Sequence, residues 1–355
     1  MGIGAIIIVG AGVVALSTAY DLLAQHPATR VLIIAAELPT DPASSWTADY
    51  ASMWAGAHYR PIAPSTPQLR AEFALAQNTH RMMKRIARDK PESGCGFMGA
   101  VEYMENPGER ELQLKSRDIF AGEGDGFRVL SPEELPDKVK WGCEYDAYCI
   151  DTQKYCQWLL HQIQKTGQVR VLRRQLSQVL DAFEAAEAVN FPKAKIVVNC
   201  SGRGFGDPKS KIVRGQTVLV KQQYHKSVTR QCADGSWTFL IPRPNMGGTI
   251  VGGTKEEDDW RSEPRESTRK AVLQKAVECF PYFVDDVSQF EVIRDNVGRR
   301  PFRDGGLRME LEELDGDRRI VHGYGAGSRG YELSWGIAGK LVKLLEQATV
   351  SRASL

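Results

Sequence analysis

Apolar and polar positions follow three different rhythms along this chain. Ala5 to Val9 is a short β-branched run bounded by glycine, the pattern of a central strand buried on both faces. Val13, Leu16, Ala19, Tyr20 and Leu23 then recur at helical spacing, and "RVLIIAAE" from Arg30 supplies a second buried strand that closes on the acidic Glu37. Together they make a βαβ unit. Pro67 to Lys90 reads as a helix, whereas Ser93 to Gly99 and Gly122 to Gly126 read as polar loops rich in Pro and Gly. A helix around Lys154 to Gln164, the run "VRVLRR" and the run "AKIVVNCSGRG", which ends in glycines, return the chain to the parallel sheet.

From Arg214 the rhythm changes to period two. "RGQTVLV", "WTFLIP" and "GGTIVGGT" predict antiparallel strands with glycine turns, suited to a sheet flanking a ligand. "GIAGKLVKLLEQA" closes the chain as an amphipathic helix after a glycine-rich turn, Gly323 to Gly330. There is no internal repeat and no low-complexity tract. The fold class expected is α/β: a discontinuous Rossmann-like domain of residues 1–57, 145–208 and 296–355, with an α+β domain of residues 58–144 and 209–295 holding a mostly antiparallel sheet.

Composition narrows the partners. The chain has 355 residues, enough for one large domain or two interleaved ones, and a formal net charge of +2 with 42% hydrophobic and 25% charged residues. Such a balance gives no strong field toward nucleic acid or anionic membrane, so a small-molecule substrate is expected, and a homodimer is open. The longest apolar run, Ala5 to Leu16, is too short to span a bilayer and lacks a charged leader. The seven cysteines are an odd number without C-x-x-C spacing, which argues against a zinc site and a full disulfide framework. No metal is expected. Cys232 and Cys279 stand either as two free thiols or as one bridge. The ending Ala353-Ser354-Leu355 resembles the small-basic-Leu peroxisomal address except for Ser at the basic position; a peroxisomal, or otherwise cytoplasmic, location is expected.

"GAGVVA" carries the first candidate chemistry. Gly10 permits a tight turn, Gly12 lets backbone approach a pyrophosphate, Val13 opens the helix whose free N–H groups face the anion, and Ala15 keeps helix close to strand. Glu37, at the end of the next strand, suits a ribose without a 2′-phosphate, so NAD or FAD fits better than NADP. The fingerprint alone does not separate these two.

"NVGRRPFRDGG" followed by "VHGYGAGSRGYELSWGIAGKL", together with "GAGVVALSTAYDLL", "SMWAGAHYRP", "VVNCSGRG" and "RGQTVLV", resembles the D-amino acid oxidase family, which includes the D-aspartate oxidases. The match runs through nearly the whole chain in the family's order. It implies that the Rossmann-like domain binds FAD non-covalently and the other domain binds substrate. The implied reaction removes a hydride from the α-carbon of a D-amino acid, gives an imino acid that water hydrolyses to the 2-oxo acid and ammonia, and passes the electrons to molecular oxygen as hydrogen peroxide.

The same resemblance assigns residues. Arg300, immediately before Pro301, is the catalytic anchor of the substrate carboxylate, a task a planar guanidinium performs through two parallel charge-assisted bonds. "GAGSRGYE" is the flavin-clamping turn, with Gly327, Ser328, Gly330, Tyr331 and Glu332 against the cofactor, and Ser328 is also placed beside the substrate side chain; a local capping role for Ser328 is the alternative. "WAGA", with Gly56, lines the flavin ring; Ser44, Ser45 and Thr47 fall near the pyrophosphate, where local turn chemistry is the alternative. Ser201 and Gly202 present backbone to the cofactor, and Leu176 presents backbone to adenine.

Three positions depart from the family. Ala36 replaces an Arg, Phe239 replaces a Tyr that bonds the substrate carboxylate, and Lys255 replaces an aromatic residue. A pocket bordered by Lys255, Arg60 and His58 would attract an acidic side chain, unless Lys255 extends to solvent or Glu332 pairs with Lys255 or Arg329. The expected activity is therefore D-amino acid oxidation of broad or acidic-tolerant specificity, with D-aspartate oxidase as the alternative. A sarcosine or amine oxidase, an NAD-dependent dehydrogenase and a non-catalytic flavin-binding module remain further alternatives.

Overall fold

Two sheets share the chain, and each is built by the periodicity of its own strands. The computed structural model describes residues 3–114 and 126–350. The βαβ run forms β1 (Ala5–Val9), the helix Val13–Gln25 and β2 (Arg30–Ala35), with β1 and β2 parallel. β8 (Ile196–Asn199) pairs with the other edge of β1, β7 (Val169–Arg173) with β2, and β16 (Arg319–Tyr324) with β8, all in parallel; β15 (Arg308–Glu313) ends this six-stranded sheet antiparallel to β16. Side chains of β1 alternate between two buried layers. Ile6 and Ile8 pack under the helix Val13–Gln25 and the closing helix Gly330–Val350. Ile7 and Val9 face the helix Asp181–Ala188 on the opposite side. A strand covered on both faces can be uniformly apolar, which is why its sequence shows no alternation.

The second sheet has ten strands: β3 (Ala57–His58), β4 (Cys95–Met104), β5 (Arg128–Val129), β6 (Trp141–Ile150), β9 (Ser210–Val220), β10 (Ser227–Gln231), β11 (Trp237–Pro242), β12 (Thr249–Gly252), β13 (Glu256–Glu257) and β14 (Val292–Arg303). All its pairs are antiparallel except β4 with β10. Val218, Val228, Leu240 and Val251 form a core with the helix Glu266–Cys279 on one face. The alternate positions Thr229, Phe239 and Ile241 turn to the other face and line a cleft.

Two expectations are corrected by pairing. Ser93 to Gly99 is no loop: Gly94, at φ +82°, turns the chain, and Cys95 already starts β4 opposite Ile150. Gly96 lies where a Cβ would come 3.1 Å from Pro244, so this glycine marks a close approach within a strand. The domain borders at 145 and 296 fall inside β6 and β14, both continuous strands of the second sheet, so the chain changes sheets after residue 150 and after residue 303. Of the stretch Gly122 to Gly126 only Gly126 is among the described residues, and Ala353 to Leu355 lie outside them. All seven cysteines are free and buried, Cys232 and Cys279 included. Among the described residues no helix is long and apolar enough to cross a membrane.

Candidate active site

A cleft of about 1780 Å³ runs between the carboxyl ends of the parallel strands and the second sheet. At one end it is a cradle of backbone. Gly10 follows β1 at φ +107°, and a Cβ there would stand 2.5 Å from the carbonyl oxygen of Cys200. Gly12 caps the helix Val13–Gln25 in an extended conformation, with no side-chain cap and no acidic residue in the first turn. The helix therefore presents the positive end of its dipole to the cleft. Ser52 Oγ accepts from the Val13 N–H at 3.1 Å. Ala15 is fully buried in the helix and does not line the cleft, in keeping with its packing role.

Glu37 lies two residues past β2 and accepts hydrogen bonds from the Thr47 N–H and hydroxyl. Partial burial raises its pKa, and the Thr47 bonds oppose that shift. Leu176, Ser201 and Gly202 line the same end. Ser201 Oγ accepts from the Gly204 N–H at 3.1 Å, and the Gly202 carbonyl accepts from the Gly325 N–H at 3.0 Å, which ties the two glycine turns together. Gly327, at φ +58°, donates to the Pro301 carbonyl at 2.9 Å. Gly56, Gly330, Tyr331 and Glu332 also line the cleft. The Tyr331 phenol turns inward and donates to the Ser52 carbonyl at 2.8 Å, while Glu332 pairs with Arg329, which also holds Glu72.

Arg300 points into the cleft from β14. Its Nη1 donates to the carbonyls of Thr254 at 3.2 Å and Arg214 at 3.3 Å. The guanidinium lies over Gly215, where a Cβ would come 2.3 Å from Nη2. No ion pair engages Arg300 among the described residues. Burial lowers its pKa and the nearby Glu256 carboxylate opposes this; an arginine remains charged at neutral pH throughout. The ring of Phe239, which lines the same cleft, packs over Gly252 and Gly253. His58 hydrogen-bonds Ser227 at 2.9 Å, and desolvation, aided by the Arg60 charge, pushes its pKa down to about 3. Arg60 stacks 4.2 Å from the centroid of Trp237 and donates to Glu102 at 3.0 Å.

The sequence profile of the FAD dependent oxidoreductase family (DAO) matches residues 5–344. The chain belongs to this family. It is 48% identical to a D-aspartate oxidase of Talaromyces thermophilus, with 96% of this chain and 94% of that protein covered. It is 31% identical to a D-amino-acid oxidase of Fusarium vanettenii, covering 96% of each. Among solved structures, iminodiacetate oxidase of Chelativorans sp. BNC1 superposes with a TM-score of 0.71 at 16% identity, covering 96% of this chain and 95% of that one.

The residues present fit the family's flavin. An uncapped helix start, a glycine turn on either side and a carboxylate at the far end are the donor and acceptor set a dinucleotide requires. Some assignments do not gather there. Ser44 and Ser45 sit on the exposed turn Ala43–Ser45 and do not line the cleft; the Ser45 hydroxyl instead closes that turn on the Pro42 carbonyl at 2.8 Å. Lys255 stands only at the rim, with its side chain 68% exposed and its Nζ 3.4 Å from Glu257, because solvent and a neighbouring carboxylate hold a flexible ammonium better than an apolar wall does. Ser328 is exposed at the cleft lip.

Several cleft residues escaped the sequence reading. Gly215, Thr254, Trp237, Trp260 and Asp49 line it. Arg299 pairs with Asp49 at 3.1 Å, and its N–H donates to the Ala48 carbonyl at 2.8 Å, so β14 is fastened to the cofactor side of the cleft next to Arg300. The doublet Arg299-Arg300 was the available signal, since adjacent strand residues serve opposite neighbours.

Proposed function

We propose that this protein is a D-amino acid oxidase whose cleft accepts acidic as well as neutral side chains. The observation that carries the reading is the Arg300 guanidinium, which is fixed by two carbonyls, free of ion pairs among the described residues, and lines the same cleft as the dinucleotide cradle. The full-length similarity to a D-aspartate oxidase and a D-amino-acid oxidase supports it.

FAD, which the glycine turns at Gly10 and Gly327 and the helix start at Gly12 would hold, would supply the two-electron redox chemistry that oxidises the substrate α-carbon with oxygen as final acceptor and hydrogen peroxide as product. The chain supplies orientation. Arg300 takes the substrate carboxylate through a bidentate, charge-assisted pair and so fixes rotation about the α-carbon. The backbone bonds from Nη1 hold that guanidinium before substrate arrives, which lowers the entropy lost on binding. Phe239 lacks the hydroxyl of a Tyr and contributes only an apolar wall, so Arg300 bears the carboxylate without help from that position. No protein base is required, because a neutral amine releases its α-hydrogen as hydride; His58, with a pKa near 3, stays uncharged and acts as wall and hydrogen-bond partner.

A narrower reading, a D-aspartate oxidase confined to acidic substrates, is favoured by Arg60 on the cleft wall and by the 48% relative. Peroxide production on D-aspartate, D-glutamate, D-alanine, D-phenylalanine and D-lysine, with L-alanine as control, tests both. Turnover of the acidic pair alone selects the narrower reading, and no turnover of any D-amino acid refutes both. Peroxide as a product suits a peroxisomal setting, and a homodimer is the assembly proposed.

A further inference from the structure

Three side chains were candidates for attracting an acidic substrate, and the structure leaves one. Lys255 is exposed and paired with Glu257. His58 is uncharged above its pKa of about 3. Arg60 lines the cleft and holds its guanidinium over the Trp237 ring, with 20% of its side chain exposed.

The charge of Arg60 is nevertheless answered from within the fold. The Glu102 carboxylate, whose side chain is 4% exposed, accepts from Arg60 Nη1 at 3.0 Å and also accepts from Gln231 Nε2. The register explains why these groups meet. Glu102 in β4 stands opposite Thr229 in β10, and Gln231, two residues on, stands opposite Trp237 in β11, so they share one sheet face; Thr229 lines the cleft, while Glu102, Gln231, Trp237 and Arg60 line a small pocket of about 180 Å³ that shares Arg60 and Trp237 with it. A carboxylate at this inward-facing position is costly to bury unless it is paired, and among the described residues Arg60 pairs with it while Gln231 donates a further hydrogen bond.

We infer that Glu102 is a specificity-determining residue: its buried carboxylate offsets the charge of Arg60 and thereby sets how strongly the cleft prefers an acidic substrate side chain over a neutral one. The inference rests on the oxidase reading above. An acidic side chain reaching Arg60 becomes the second carboxylate on one guanidinium, and the repulsion from Glu102 cancels much of the attraction. Glu102→Gln retains an acceptor for Arg60 and removes the negative charge. At an effective dielectric near 20, one unit charge several ångströms away changes a binding ratio by roughly tenfold or more.

The test measures kcat/KM for D-glutamate and D-alanine, and the Kd of malonate and propionate from the shift of the flavin absorbance, in FAD-loaded wild type, Glu102→Gln, Glu102→Asp and Arg60→Gln. The inference expects the D-glutamate to D-alanine ratio to rise about tenfold in Glu102→Gln, with malonate tightening relative to propionate, while Glu102→Asp stays near wild type. Arg60→Gln, which leaves Glu102 unanswered, is expected to lower both ratios by a similar factor. A yellow, folded Glu102→Gln whose ratios stay within about twofold of wild type overturns the inference, as does a uniform fall on all substrates, the mark of a structural role. Should Glu102→Gln not fold, Arg60→Gln decides: unchanged ratios there overturn the inference equally. Failure of the oxidase reading itself is distinguishable, because the wild type would then oxidise no D-amino acid.

Discussion

Arg300→Leu isolates the group on which the proposed chemistry depends. The guanidinium has two Nη1 bonds to carbonyls and no carboxylate partner among the described residues, and Phe239 on the cleft wall offers no hydroxyl to share the anchoring of a substrate carboxylate. A charge-assisted hydrogen bond contributes about 1.5–3 kcal/mol, so the bidentate pair contributes roughly 3–6 kcal/mol. At about 1.4 kcal/mol per factor of ten, kcat/KM falls by roughly a hundred- to ten-thousand-fold. The loss has to appear on D-alanine and D-aspartate alike, because every substrate carries the α-carboxylate. Flavin content, read from the absorbance of the purified variant, is expected to stay near wild type, since Arg300 lies on β14, outside the backbone cradle. Arg300→Lys should recover part of the rate by restoring charge without the planar fork. If Arg300→Leu retains flavin and keeps kcat/KM within about tenfold of wild type on both substrates, the carboxylate is held elsewhere and the mechanism above is wrong.

Four further outcomes are expected. Gly10→Ala places a Cβ 2.5 Å from the Cys200 carbonyl oxygen in a residue at φ +107°, so the purified variant should carry markedly less flavin than wild type; full flavin content would contradict the role of that turn. Lys255→Met removes an exposed charge already paired with Glu257 and should change the acidic-to-neutral kcat/KM ratio by less than about threefold, a larger drop meaning that Lys255 reaches the substrate. His58 has a folded pKa of about 3 against about 6.5 when unfolded, so its contribution to stability is fully present above pH 6.5 and is lost as pH falls, at no more than about 1.4 kcal/mol per pH unit. Urea unfolding of His58→Asn at pH 5.5 and 7.5 should therefore show a shallower pH dependence than wild type, and equal slopes would refute a neutral His58. Gly336→Ala sets a Cβ 2.4 Å from the backbone of Leu75, where the closing helix crosses the helix Pro67–Asp89, and should lower stability by about 1–3 kcal/mol, read as a fall in melting temperature.

The cofactor half of the cleft was legible because its signals are local. Gly10, Gly12, Ala15 and Glu37 lie within one βαβ unit, and their spacing follows from a strand, a tight turn and a helix that are neighbours in sequence. The same holds for Gly327 and Gly330 at the start of the closing helix. Ser44 and Ser45 were misplaced because a hydroxyl near a glycine motif fits a phosphate and a turn equally well, and here the turn took them. Ser93 to Gly99 was misread for a related reason: Gly96 inside β4 marks close approach to Pro244, a residue nearly 150 positions away in sequence.

By itself the sequence determined the parallel βαβ core and the period-two strands of the second sheet, since burial on one or both faces leaves its mark residue by residue. Tertiary structure alone decided which charges are held on the cleft wall and which extend to solvent. Lys255 and Arg60 look alike as cations in the chain, yet one ends in solvent beside Glu257 and the other lies against Trp237 with its charge met by Glu102. For Arg60, that surrounding comes from strand register across β4, β10 and β11, which sets Glu102 on one face with Gln231 and Trp237, more than a hundred positions away. Electrostatic energy depends on distance and burial, and neither is written in the order of residues along the chain.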